Sequence, residues 1–179
     1  MTMRILSVAV LCVGLGGCFI SPKVLIEPAQ AEFPVAAPME LGDLRADGTS
    51  SPRRLEKQDG VYVLIDPNAT KDGKPTSEIK HRFVVRGIGD GLFVVQRFPD
   101  TGALACPCTF GLVEIKGQRI AVYDFDSFGS APQLSDDEIA RFGITIDGGS
   151  YRLSSFEQTA ALFRLLLERP RPDDIYQLK

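Results

Sequence analysis

Alternation of apolar and polar residues marks the middle of this chain and predicts antiparallel strands. From Ile79 to Arg86 the odd-numbered positions are mostly apolar and the even-numbered positions are mostly charged, which is the period of a strand with one buried face. Four further runs are rich in β-branched and aromatic residues: Val61 to Asp66, Leu92 to Phe98, Phe110 to Lys116 and Arg119 to Phe125. Turn residues stand between several of these runs, so the pattern predicts consecutive hairpins that form a meander.

Helical spacing replaces this alternation toward the C-terminus. Ser135 and Glu138 have the spacing of a capping box, and they predict a short helix that ends at Gly143. Ser155 and Gln158 have the same spacing and predict a longer helix. Its apolar stripe predicts a face buried against the sheet, and consists of Phe156, Ala160, Phe163, Leu166 and Leu167.

These elements together predict an α+β fold, in which an antiparallel β-meander of about four to six strands is packed by one main C-terminal helix. We expect a single folded domain over residues 41–179. Residues 18–40 are rich in Pro and Ala and lack periodicity, so they are interpreted as a semi-rigid tether. The stretch from Leu41 to Leu55 is ambiguous, and its Arg53-Arg54 pair is interpreted as solvated.

Residues 1–17 have the three-part pattern of an export signal. Arg4 supplies a positive charge, and the apolar stretch that follows is shorter than the roughly 20 residues needed to cross a bilayer. The stretch ends in Leu15-Gly16-Gly17-Cys18, which resembles the lipobox of bacterial lipoproteins. The resemblance implies a signal peptide cleaved after Gly17. It also implies a diacylglycerol group on the thiol of Cys18 and an acyl chain, such as palmitate, on its new amino group.

The lipoprotein resemblance also predicts where the protein resides. In that family an Asp after the lipidated cysteine commonly marks retention in the inner membrane, whereas this chain has Phe19. We therefore expect a protein anchored by lipid to the outer membrane, at its periplasmic face, with the membrane as a partner. The rest of the chain is similar to small uncharacterised envelope lipoproteins of Gram-negative bacteria, which implies no activity.

Charge and motifs limit the chemistry that we expect. The chain has 20 Lys and Arg against 23 Asp and Glu, a mildly acidic balance that argues against nucleic acid as a partner. The single histidine, His81, lies on the apolar face of its predicted strand and is interpreted as a core residue. No catalytic residues, metal ligands or cofactor are predicted, because no serine triad or glycine-rich phosphate loop is recognisable.

Cys106-Pro107-Cys108 is the one segment with candidate chemistry. Exported thiols usually form disulfides, but extended residues two apart place their Cα atoms about 6.6 Å apart, close to the upper limit for a bridge. Three interpretations stay open for Cys106 and Cys108: an easily reduced disulfide, a pair of thiolates for a soft metal ion, or a plain structural bridge.

The sequence therefore predicts a tethered, non-catalytic envelope lipoprotein with a binding or structural role, engaging an envelope protein or polymer. The alternative is a thiol-redox or soft-metal-handling protein that uses Cys106 and Cys108. A third hypothesis is inhibition of a cell-wall lytic enzyme, which would depend on the shape of the loops.

Overall fold

The described residues form thirteen strands and two α-helices. The computed structural model describes residues 18–44, 50–67, 70–71, 74–75, 79–99, 104–123, 133–168 and 174–178. The strands are β1 (Phe19–Ser21), β2 (Met39–Leu44), β3 (Ser50–Gln58), β4 (Val61–Asp66), β5 (Thr70–Lys71), β6 (Lys74–Pro75), β7 (Ile79–Gly89), β8 (Leu92–Arg97), β9 (Cys108–Lys116), β10 (Arg119–Tyr123), β11 (Thr145–Asp147), β12 (Ser150–Arg152) and β13 (Asp174–Leu178). The helices are α1 (Asp136–Phe142) and α2 (Phe156–Leu166), and a 3-10 turn covers Pro28–Gln30.

Eight of these strands close into a ring. Their order is β2, β3, β4, β7, β8, β9, β10 and β13, and each strand pairs antiparallel with the next. β13 completes the circle, because it pairs with β10 on one side and with β2 on the other. An eight-stranded closed sheet leaves an interior just wide enough for side chains or for one small ligand. We call this arrangement the ring.

Alternation along the strands divides the apolar residues into two clusters. In β4, Tyr62 belongs to a cluster inside the ring, whereas its neighbours Val61 and Val63 belong to a cluster on the outside. In β8, Val95 and Val94 divide in the same way. Both faces of these strands are therefore buried, which explains why their sequences are nearly continuous apolar runs.

The outer cluster is covered by α2 and by three short strands. Leu162, Phe163 and Leu166 of α2 are fully buried in that cluster. β1 pairs with the beginning of β9 and also, in parallel, with β12, which forms a hairpin with β11. The aromatic side chain of Phe19 packs between those of Tyr151 and Phe163, with a centroid-to-centroid distance of 5.3 Å in each case.

Residues 18–40, interpreted from the sequence as a tether, are packed against the ring. Phe19 and Ile26 have no exposed surface, and Val35 is 6% exposed. The fully buried Gln96 holds this segment: its Oε1 accepts hydrogen bonds from the N–H groups of Leu25 (2.7 Å) and Ile26 (2.9 Å). Its Nε2 donates to the carbonyl of Ile26 at 3.2 Å. The segment is thus part of the folded unit.

The predicted fold class, a meander of four to six strands with one main helix, was wrong. The main sheet has eleven strands, so the fold is predominantly β, and both helices are short. The sequence analysis left β2 and β3 in an ambiguous stretch and did not predict β1 or β13. Without β2, β3 and β13 the predicted meander could not close, which is why it was expected to rely on one helix for burial.

The individual helices and central strands agree with the sequence predictions. Ser135 caps α1 in a complete capping box with Glu138, and Gly143 ends it in the left-handed conformation with φ of 61°. Ser155 caps α2 through the N–H of Gln158. The Gln158 side chain, however, does not complete a second box; it accepts from the N–H of Ser154 and donates to the carbonyls of Phe142 and Gly143. It therefore links the two helices.

Candidate functional site: a cavity inside the ring

A cavity of about 280 Å³ lies inside the ring and is lined by six of its strands. Its apolar walls come from inward positions of five strands, namely Leu64, Phe83, Val95, Val113 and Val122. Four polar side chains also line it: Arg53, Asp66, His81 and Arg97. The volume is near the lower end of the range of roughly 300–1,000 Å³ for small-molecule sites.

The polar side chains gather at one end of the ring. Asp66 and Arg97 are the last residues of β4 and β8, and His81 is close to the start of β7. An ion pair joins Arg53 to Asp66, with Nη1 and Oδ1 2.5 Å apart and both side chains about one-fifth exposed. Because His81 and Arg97 line the same cavity, this end presents two guanidinium groups, one imidazole and one carboxylate.

Gly111 of β9 keeps the wall beside Arg97 flat. A methyl group added at Gly111 would lie 3.9 Å from Nη2 of Arg97 and only 3.0 Å from the carbonyl oxygen of Tyr123. The second distance is shorter than an ordinary van der Waals contact, so a side chain here would push on the backbone of β10. The methyl group would only reach ordinary van der Waals contact with the Arg97 guanidinium, so it is the backbone of β10 that a side chain at this position would disturb.

A second, smaller cavity of about 80 Å³ continues toward the other end of the ring. Four residues line both cavities, namely Leu64, Phe83, Val113 and Val122. No charged side chain is among the described residues that line the smaller one, and its single polar side chain is Tyr62. Polarity therefore falls from the Arg97 end toward Tyr62.

Residues 32–37, which we call the strap, close the apolar end. The Glu32 N–H donates to the Val85 carbonyl, and the Glu32 carboxylate accepts from the N–H of Gly87, both at 2.8 Å. Phe33 packs edge-on against Tyr62, with ring centroids 5.0 Å apart. The Tyr62 hydroxyl bonds to both backbone polar groups of Val35.

Burial changes the acidity of the phenol at this end. Burial raises the pKa of Tyr62 above its usual value of about 10, and the hydrogen bond with Val35 offsets part of the effect. The hydroxyl is therefore neutral at physiological pH, so its two hydrogen bonds to Val35 of the strap are uncharged.

The Cys106-Pro107-Cys108 segment lies outside the cavity. A disulfide joins Cys106 and Cys108, whose Cα atoms are 4.4 Å apart, and the Cys106-Pro107 peptide is cis. Cys108 is fully buried in the outer cluster, and in the sheet register it faces Ser21 of β1. The bridge therefore stands where β9 leaves the ring to pair with the N-terminal strand.

Cys18 stands directly before β1. It is partly exposed, it is not in a disulfide, and its carbonyl accepts a hydrogen bond from the N–H of Tyr151 at 2.8 Å. Residues 1–17, predicted to be a signal peptide, lie outside the described residues, so the lipobox stays a sequence prediction. The structure does not bring Cys18 together with Cys106 or Cys108 in any described bond.

The sequence analysis did not find the four polar lining residues as a group. Arg53 was interpreted as solvated, Asp66 was considered only as the end of a predicted strand, and His81 was interpreted as a core residue. The available signal was alternation: Arg97 follows Val95 and Phe93 at every second position, so it shares their inward face. A charged residue that follows inward-facing apolar residues along a strand indicates where the interior of the closed sheet opens to solvent.

The described residues offer neither a metal site nor a membrane-spanning helix. Within those residues, no group of three or more His, Cys, Asp and Glu side chains is placed to hold a metal ion. Neither described helix has the length and apolarity needed to cross a membrane.

Comparison with known proteins identified no related protein. No protein-family model matches the chain, and neither curated proteins nor solved structures gave a significant match. The functional argument therefore depends on the residues and geometry above.

Proposed function

We propose that this chain is a lipid-anchored protein of the cell envelope that binds a small, largely apolar molecule inside the ring. The observation that carries the proposal is the cavity of about 280 Å³, with apolar walls and polar side chains at one end. Small-molecule sites typically combine apolar walls with a few placed polar groups. A closed eight-stranded sheet is also a scaffold whose interior suits one small ligand.

The proposed role is binding without catalysis. The described residues that line the cavity include no Ser, Thr, Cys or Lys side chain that could act as a nucleophile. Asp66, the one carboxylate among the described lining residues, is engaged in an ion pair with Arg53. These features favour recognition of a molecule over its chemical conversion.

The lipid anchor in this proposal depends on the sequence. Leu15-Gly16-Gly17-Cys18 supports acylation of Cys18, and Phe19 supports sorting to the periplasmic face of the outer membrane. Intact mass of membrane-extracted protein tests both cleavage and acylation. We expect a chain that begins at acylated Cys18, and we expect a Cys18→Ala variant to be unprocessed or mislocalised. A Cys18→Ala protein that fractionates normally with the outer membrane would overturn the anchor.

The alternative role in thiol redox or soft-metal handling receives less support. Cys106 and Cys108 are joined in a disulfide, and the sulfur of Cys108 belongs to a residue with no exposed surface. A metal ion held by both thiolates would need access to that sulfur, and thiol exchange would have to begin at the partly exposed Cys106. A protein or polymer partner in the envelope stays a prediction from the sequence.

Ligand binding is tested with 1-octanol, an uncharged amphiphile small enough for the cavity. We expect methyl NMR signals of Leu64 and Val113 to shift on titration of the purified mature protein. Val113→Phe and Val95→Phe each fill the cavity, and each should abolish the shifts. Thr145→Phe, on the exposed strand β11, is the matched control and should leave them intact. Octanol shifts that persist in both cavity-filling variants would place binding elsewhere.

A further inference from the structure

We infer that the ring binds one unbranched hydrocarbon chain of about ten carbons, inserted tail first, and that the strap limits its length. This inference rests on the proposed function and adds the chemical class of the ligand and the residues that select it. Three features support it: the alignment of the two cavities, the fall in polarity along them, and the space at their inner end.

The two cavities follow one another along the strands. On β4 the inward positions are Asp66, Leu64 and Tyr62: the first lines the larger cavity, the second lines both, and the third lines the smaller one. The same order recurs on two further strands, with His81, Phe83 and Val85 on β7 and Gly111, Val113 and Ile115 on β9. Three successive inward positions span about 13 Å along a strand. The cavities therefore form one elongated space, which we call the tunnel.

The inner end of the tunnel suits a hydrocarbon tail. No charged side chain is among the described residues that line the smaller cavity. The Tyr62 hydroxyl donates its proton to the Val35 carbonyl, so it has none to donate to a ligand. A polar head group placed there would lose its hydration without gaining a charged partner, which costs free energy. The tail of an amphiphile therefore enters first.

The head group stays at the outer end of the tunnel. The Arg53 and Asp66 side chains are each about one-fifth exposed, so water reaches this end. A head group there remains hydrated, and Arg53 and Asp66 keep their ion pair. Selection therefore depends on the hydrocarbon chain rather than on the charge of the head group.

The volume of the tunnel limits the length and the shape of the chain. At roughly 30 Å³ for each water-sized group, the larger cavity of about 280 Å³ accommodates about nine groups, and the smaller one of about 80 Å³ accommodates two or three. 1-Decanol is close to this combined size, with the end of its tail in the smaller cavity. So small an inner cavity admits one unbranched chain end.

The strap forms the wall at which the tail stops. Pro34 and Val35 line the smaller cavity. The backbone of Val35 is held by both hydrogen bonds of the Tyr62 hydroxyl, and the Glu32 carboxylate is held by the N–H of Gly87. Contacts from β4 and β7 thus fix the position of this wall, and that position sets the chain length.

The test measures how affinity depends on chain length, with 1-hexanol, 1-octanol, 1-decanol and 1-dodecanol titrated into the purified mature protein by calorimetry. Affinity should rise about fourfold for each added CH₂ group up to 1-decanol, as the transfer of one CH₂ group from water predicts. It should rise no further at 1-dodecanol, because the strap blocks the longer tail.

A branched isomer tests the shape of the inner end. 3,7-Dimethyl-1-octanol has the composition of 1-decanol in a shorter chain with a branched tip. It should bind about tenfold more weakly than 1-decanol, because its tip cannot occupy the smaller cavity. This comparison uses the wild-type protein alone, so it does not depend on the folding of any variant.

Three substitutions test which residues set the length. Val35→Ala removes two carbon atoms from the end wall and keeps the backbone of the strap, so 1-dodecanol should bind about tenfold more tightly than to the wild type. Ile120→Phe narrows the smaller cavity from β10; it should weaken 1-decanol about tenfold and leave 1-hexanol unchanged. Val84→Ala is the matched control, because it makes the same truncation at a fully buried position of the outer cluster. It should leave the length dependence unchanged.

The outcomes distinguish the inference from the proposed function. The inference fails, while ligand binding stands, if affinity keeps rising to 1-dodecanol or if the branched isomer binds as tightly as 1-decanol. It also fails if Val35→Ala and Ile120→Phe both retain the length dependence of the wild type. If no alkanol binds, the proposed function itself fails.

Discussion

The phenol oxygen of Tyr62 bonds to both backbone polar groups of Val35: it accepts the N–H at 3.0 Å and donates to the carbonyl at 2.5 Å. The two residues are 27 positions apart, one in the strap and one in β4. A single side chain thus provides hydrogen-bond partners for the backbone of a segment that crosses the end of the ring and belongs to no strand. The strap keeps its position through this hydroxyl and through Glu32.

Removing that hydroxyl is expected to destabilise the protein. Tyr62→Phe leaves the Val35 N–H and carbonyl without their partner in a buried site, at a cost of about 2–4 kcal/mol for two unsatisfied groups. Urea unfolding measures the loss. Tyr151→Phe is a matched control, because that hydroxyl accepts one bond, from the Leu134 N–H at 3.2 Å, and should cost about half as much. Equal losses in the two variants would contradict the role of the strap.

Alkaline pH should weaken the fold through two tyrosines. The pKa values of Tyr62 and Tyr123 are both raised, chiefly by burial, and for Tyr123 also by the nearby Glu114 carboxylate. Above about pH 10 the unfolded chain releases these protons while the folded chain retains them. The contribution of these two tyrosines to the free energy of unfolding is therefore constant below pH 10. It falls as the pH rises through the raised pKa values.

The alkaline effect is measured as the urea midpoint against pH. Tyr62→Phe should have a shallower decline than the wild type, because only one of the two tyrosines, Tyr123, still contributes a raised pKa. An unchanged slope in the variant would show that Tyr62 titrates alike in the folded and unfolded states.

The amide of Gln96 is expected to hold the N-terminal segment against the sheet. Gln96→Leu keeps the size of the side chain but leaves the N–H groups of Leu25 and Ile26 and the Ile26 carbonyl without their bonds. We expect a loss of about 3 kcal/mol or more, and faster protease cleavage within residues 22–38. Gln58→Leu, on the outer face of β3, should change neither measurement. Equal cleavage rates in the wild type and Gln96→Leu would show that other contacts hold this segment.

Loss of the disulfide should have a modest effect on stability and none on ligand binding. The bridge closes a loop of three residues, so a chain-entropy estimate gives about 1.6 kcal/mol. A double variant, Cys106→Ser with Cys108→Ala, should fold, bind octanol and tolerate copper and oxidative stress like the wild type. Sensitivity to those stresses with normal folding would favour the redox or metal alternative.

Local structure was predictable where one strand face or one helix cap determines it. The limits of β4 were predicted as the structure has them, and the caps at Ser135 and Ser155 are present. These features depend on residues close in the chain. Hydrophobic period and capping chemistry therefore suffice to find them.

Closure of the ring was not predictable by the same means. β3 contains Pro52 and five charged or amide residues, so it shows no clear apolar alternation. Pro52 is tolerated because it lies outside the part of β3 that pairs with β4, which begins at Arg54. β13 is separated from β10 by two helices, and only its pairing with both β10 and β2 makes it part of the sheet.

The polar end of the cavity was missed because its residues are distant in sequence. Arg53 and Arg97 come from strands that are not neighbours, and only closure of the ring makes them line one space. Each one alone is an ordinary charged residue at a strand position. A prediction of the site required the topology first.

The direct passage from Cys18 into β1 would determine how far a domain anchored at Cys18, as we propose, can travel. Phe19 is buried and already paired with Tyr151 in the sheet, so an acyl group on Cys18 would be attached to a folded surface with no slack between them. Such a protein cannot search the space between the membranes. It would lie against the bilayer in one orientation and exchange its cargo with the lipid surface, so detergents or vesicles, rather than bulk solution, are the medium in which its ligand should be sought.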